Sequence, residues 1–121
     1  MVKKINDPCF NMHNRAGGLL EACLLLLLKE SNSHGYNLMY ELTQFGFDED
    51  TINISAIYRK LRNMENQKLI ISSWVDSEQG PNKRIYKITN KGIGMLDNWI
   101  LHLKNRKKQI NLVIEKYDIL K

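Results

Sequence analysis

Seven consecutive apolar residues, Ala22 to Leu28 (ACLLLLL), narrow what this chain can become. A helix made of them is apolar on nearly every side, and such a helix persists in water only when other elements enclose it. The run is too short to span a bilayer, which takes about 20 apolar residues, and Glu21 and Lys29 bracket it with charge. GLLEACLLLLLKE is therefore expected to be the buried helix of a small soluble core. At 121 residues the chain is one domain, long enough to build such a core.

The enclosing elements have to follow, because residues 1–17 (MVKKINDPCFNMHNRAG) show no clear period and read as an arm. SNSHG breaks the first helix, with Ser33 as the candidate cap of the next. In GYNLMYELTQFG, Tyr36 and Tyr40 stand four apart, as do Leu38 and Leu42, and Gly46 is the expected stop. After the polar turn DEDT comes NISAIYRKLRNMENQKL. Ile54, Ile57, Leu61 and Met64 fall on one side of a helix there, with Ser55, Arg59, Arg62 and Asn66 opposite.

Leu69 to Val75 is rich in strand formers and IYKI at 85–88 is a second short strand, so SEQGPNKR between them predicts a hairpin with Lys83 and Arg84 at its tip. From Thr89, an expected helix cap, Leu96, Trp99, Leu103, Arg106, Ile110, Val113, Tyr117 and Leu120 recur by threes and fours. A repeat held that long is the seam of a helix-to-helix contact, although KNRKK around Arg106 also fits a break between two helices.

Three helices and a hairpin give a mainly α fold with a small β-hairpin, the element order of a winged helix-turn-helix followed by a C-terminal helix. In that arrangement the third helix enters the major groove and the wing meets the adjacent backbone. Ser55, Arg59, Arg62 and Asn63 form the candidate groove-facing surface, Tyr58 at its edge is placed to put its hydroxyl on a phosphate, and Lys83 and Arg84 are expected to neutralise phosphates. The plain alternative is a solvated helix face and a solvated turn, and position in this element order decides against it. A net charge of +5 suits the same partner, double-stranded DNA.

No nucleophile motif, phosphate loop or paired-carboxylate pattern is present, so the chain reads as neither an enzyme nor a cofactor carrier. Cys9, His13, Cys23 and His34 raise a metal site, but a buried free cysteine and a turn histidine explain them more simply. With two cysteines and no recognisable leader, a reducing cytoplasm is the expected setting and no membrane partner is expected.

GLLEACLLLLL, HGYNLMYEL, SAIYRKLRNMENQKLI and SSWVDSEQGPNKRIYKITNKG together resemble the PadR family of bacterial transcriptional regulators, in order and separation, over about residues 18–100. That resemblance implies a winged-helix homodimer that represses genes, held together by a single C-terminal helix. It divides the chain into an arm (1–17), a winged-helix DNA-binding domain (18–89) and a dimerisation helix (90–121). Family members usually carry Gly where Lys68 stands, which asks Lys68 for a left-handed backbone, and a small or Gly-Thr pair where Ser55 and Ala56 stand. SSWVDSEQG is similar to the multidrug-sensing subgroup. By that similarity Trp99, with Met95, is a candidate platform for a flat aromatic effector, against the simpler reading of Trp99 as packing at the seam. Two other readings stay open: a winged-helix protein-interaction module without DNA, and a metal- or redox-sensing regulator using Cys9.

Overall fold

In the computed structural model, which describes residues 17–48, 52–76 and 80–121, the apolar run lies in α1 (Gly17–Glu30). Ala22, Cys23, Leu24, Leu25, Leu27 and Leu28 are all buried, as expected of an enclosed helix. Leu19 and Leu26 are the exceptions and stay partly open to solvent. The expected arm lies outside the described residues apart from Gly17, which opens α1.

Helix α2 (Gly35–Glu41) continues into a 3-10 turn (Leu42–Phe45) and stops at Gly46, whose φ of 86° is the left-handed geometry a helix end favours. Leu38 and Leu42 point inward while Tyr36 and Tyr40 face solvent. The cap is His34 rather than Ser33: its Nδ1 accepts from the Asn37 backbone N–H at 3.4 Å. Ser33 is committed elsewhere, since its carbonyl accepts from Tyr86 N–H at 2.8 Å and its N–H donates back at 3.2 Å. Its side chain still helps, because the Ser33 hydroxyl accepts from Asn37 Nδ2 at 2.8 Å.

Helix α3 (Ile54–Asn66) starts at Asn53, whose Oδ1 accepts from Ala56 N–H at 2.8 Å, and buries Ile57, Leu61 and Met64 completely. It ends as the Lys68 reading requires. Lys68 has φ 65°; its N–H donates to Glu65 O at 2.9 Å, and Leu69 N–H donates to Met64 O at 3.0 Å. That is a Schellman stop with a lysine in the place suited to glycine. Lys68→Gly is expected to stabilise the fold by about 0.5–1 kcal/mol, the relief of the left-handed strain less the extra freedom glycine gives the unfolded chain. A rise in the urea midpoint at constant slope checks it.

The hairpin pairs β1 (Ile70–Val75) with β2 (Lys83–Ile88) antiparallel, in the register Ile70 with Ile88 and Val75 with Lys83. Here the structure corrects the expected tip. Lys83 and Arg84 are the first two rungs of β2, opposite Val75 and Trp74, because β1 runs on to Val75 and its last residues need partners. Helix α4 (Asn90–Leu120) is then a single helix of 31 residues, about 46 Å long, and KNRKK does not interrupt it. Thr89 caps it, accepting from Gly92 N–H at 3.0 Å. Leu96 and Trp99 pack into the core with α1, whereas Ile110, Val113, Tyr117 and Leu120 on the same stripe lie in the open.

Candidate nucleic-acid interface

The burial of Ile57, Leu61 and Met64 turns the opposite side of α3 outward, and Ser55, Arg59, Arg62 and Asn63 are all exposed there. Arg59 and Arg62 take part in no ion pair among the described residues. Lys60, on the flank, is used internally, 3.1 Å from Glu21 of α1. The outer face of α3 thus carries cationic groups that no described acid neutralises.

Tyr58 is half-buried at the edge of this face and meets the Tyr36 ring edge-on, with centroids 6.5 Å apart. Gly35 permits that packing, since a Cβ there would come within 2.7 Å of the Tyr58 ring. Between α3 and the hairpin lies an open cleft of about 740 Å³, walled by Tyr36, Tyr58, Arg62, Trp74, Lys83 and Arg84 among others. Four of the residues singled out in the sequence therefore converge on one cleft, while Ser55, Arg59 and Asn63 continue along α3 beyond it. Others on its wall, among them Tyr36, Trp74 and Glu65, were not singled out as site residues in the sequence. Period-two alternation from the buried Tyr86 could have found the exposed Trp74 on the helix-facing side; nothing local marks Glu65.

Arg84 differs from its neighbours. Its Nη2 sits 3.2 Å from Glu65 Oε1, its Nε donates to Ser72 Oγ at 2.8 Å, and Ser72 Oγ donates to Glu65 Oε2 at 2.6 Å. The guanidinium also lies 5.8 Å from the Trp74 ring centroid and 6.0 Å from that of Tyr86. Burial pushes the Tyr86 phenol above its ordinary pKa, and the nearby Arg84 charge partly opposes that shift.

Trp99 and Met95, raised as an effector platform against a packing reading, both lie at the domain core. Trp99 is 1% exposed, enclosed by its own domain, so the single chain offers a guest no open indole face; its seam position is used for core packing. Its Nε1 has no hydrogen-bond partner among the described residues. Met95 is half-buried against the same core. Cys23 is buried too, and burial pushes its thiol up to about 11, which keeps it protonated at neutral pH. It lines a small groove of about 290 Å³ with Leu19, Leu26, Phe45, Ile100 and Leu103. His34 is engaged in capping α2, and among the described residues no group of three or more metal-ligating side chains gathers. Cys9 and His13 lie outside the described residues. No described helix is long and apolar enough to cross a membrane.

The model of the transcriptional regulator PadR-like family matches residues 24–98, from within α1 through the hairpin into α4. The chain belongs to this family. Among solved structures, a PadR-like transcriptional regulator from Bacillus cereus is 29% identical, with a TM-score of 0.70 over 80% of this chain and 92% of its own. A PadR-like transcription factor from Bacteroides fragilis is 27% identical, with a TM-score of 0.67 over 79% and 90%. Bacillus subtilis PadR, solved with operator DNA, is 21% identical with a TM-score of 0.60 over 68% of this chain and 46% of its own, a likeness of fold. The PadR resemblance read from HGYNLMYEL and the α3 and wing segments is thereby confirmed, and with it the winged-helix architecture.

Proposed function

We propose that this PadR-like regulator is a homodimer that binds duplex DNA and represses transcription, with α3 of each protomer in the major groove and the hairpin against the neighbouring backbone. The observation that carries the reading is the outer face of α3, where Arg59 and Arg62 are exposed and, among the described residues, in no ion pair, beside a wing that bears Lys83. Such cations near a duplex gain affinity by releasing its counterions, and a guanidinium in the major groove can also address a guanine edge. Support for the dimer comes from the tail of α4. Ile110, Val113, Tyr117 and Leu120 expose an apolar stripe that a helix facing only water has no reason to carry.

Two such helices related by a two-fold axis meet successive major grooves about 34 Å apart, so the operator is expected to be an inverted repeat at that spacing. Titrating the promoter of its own gene at several salt concentrations tests the reading. Lys83→Ala is expected to weaken operator and random duplex alike and to reduce the salt slope by about one. Arg59→Ala or Arg62→Ala is expected to cost about 1–3 kcal/mol at particular base positions and much less on random DNA. Failure to bind any duplex at low salt would leave a winged-helix protein-interaction module; equal losses on both duplexes for all three variants would remove the division between reading and neutralising.

A further inference from the structure

Arg84 is exposed, basic and on the wing, yet it is the cation of the cleft that the fold has already engaged. Its fork holds two partners at once, Glu65 at the C-terminal end of α3 and Ser72 on β1, while Ser72 itself donates to the other oxygen of Glu65. The result is a closed ring of three side chains joining the end of α3 to both strands of the hairpin. The register supports the ring, because Ser72, Trp74, Arg84 and Tyr86 alternate onto the side of the hairpin that faces α3, and Trp74 stands directly opposite Arg84. The guanidinium also lies within cation–π range of both aromatic rings, 5.8 Å from the Trp74 centroid and 6.0 Å from that of Tyr86.

A residue that serves as a phosphate contact needs its donors aimed outward. Here two of the five donors, Nε–H and one on Nη2, point back across the cleft, and Glu65 would repel a phosphate if Arg84 left it. We propose that Arg84 is a positioning residue and not a phosphate contact: held by Glu65 and Ser72, it fixes the angle between the wing and α3, in the DNA-bound protein as in the free one. This rests on the DNA-binding reading above. It also assigns a task to Glu65, an acid standing in a cleft otherwise suited to an anion. Glu65 retains Arg84, and Lys83 is left as the cation of the wing's first rungs that meets the backbone.

Two measurements decide it. In proton–nitrogen spectra of the labelled protein, the Arg84 Nε–H, identified by its absence from Arg84→Ala, is expected to be sharp and slow to exchange, and to stay so when duplex is added to saturation. A double-mutant cycle on random duplex then separates the roles. Arg84→Ala and Glu65→Ala are each expected to bind about tenfold more weakly, although the second removes an acid and keeps Arg84, because either loss frees the wing from α3, and the double variant is expected to fall within about threefold of the single ones.

An Arg84 signal that is missing from the free protein, or that broadens or moves when duplex binds, overturns the proposal. So does a Glu65→Ala variant that binds as tightly as the wild type or more tightly, the result expected when a direct phosphate contact is released from its acid. If the wild type binds no duplex at all, the DNA-binding reading itself fails, and that outcome is distinct from binding accompanied by loss of the Arg84 signal.

Discussion

Gly92→Ala is expected to lower the melting temperature by about 15 °C or to prevent folding, which corresponds to about 4 kcal/mol for a domain of this size. A Cβ at residue 92 would lie 2.1 Å from the Leu69 carbonyl oxygen and 2.8 Å from Ile88 Cγ1. The first of these is backbone, and it is held in place. Leu69 O accepts from Thr89 N–H at 3.0 Å, and the Thr89 hydroxyl shares its one proton between Lys68 O at 2.7 Å and Leu69 O at 3.0 Å, so the start of the hairpin and the cap of α4 meet here. To admit a methyl group, either the capped first turn of α4 or the exit of α3 has to move, and both carry core residues. Gly94 supplies the control. It sits two residues further along the same helix with nothing within 4 Å of a built Cβ, so Gly94→Ala is expected to be neutral or stabilising by up to about 1 kcal/mol. Thermal melts of the two variants should diverge; similar melts would mean that the close approach at Gly92 is not a constraint.

The second large effect is expected at the far end of α4. Val113 and Tyr117 are 69% and 63% exposed, so replacing both by Asp leaves the protomer's own packing untouched. If the stripe joins two copies, four carboxylates are driven into an apolar contact, and the Val113→Asp/Tyr117→Asp protein should sediment as a monomer at micromolar concentration with an unchanged melting profile of its core. Operator affinity should then fall by more than about 100-fold, because the second half-site is no longer delivered by the first. A variant that remains dimeric would place the interface elsewhere; a wild type that is monomeric would end the dimer proposal.

What the sequence disclosed and what it hid divide along the range of the interactions concerned. The Ile57–Leu61–Met64 stripe, the Gly46 stop and the Thr89 cap are all settled within a turn or two of chain, and each was legible; the left-handed Lys68 was legible only through the family resemblance, since a lysine is no local signal for that geometry. His34 displaced Ser33 as a cap because Ser33 pairs with Tyr86, a strand residue far along the chain that no local rule consults. Lys83 and Arg84 entered the ladder because the reach of β1 set the length of β2. The engagement of Arg84 depends on Glu65, in another element. Trp99 exposes a different limit: a repeat of threes and fours says which side of a helix is apolar and is silent on what covers it. In α4 the same stripe meets its own core at Leu96 and Trp99, then open solvent from Ile110 onward.

The continuity of α4 across that change of surroundings has a mechanical meaning. One end of the rod is embedded among the residues that hold α3 in place, and the other projects beyond them with no hinge between. In the proposed dimer the two reading heads would therefore be stiffly geared to the crossing of two rods. A change of about 10° in that crossing, acting over an arm of about 30 Å, shifts each head by about 5 Å, more than one base-pair step of about 3.4 Å. A ligand or modification touching only the crossing could in this way put both heads out of step with successive grooves while leaving every residue that faces the DNA unaltered.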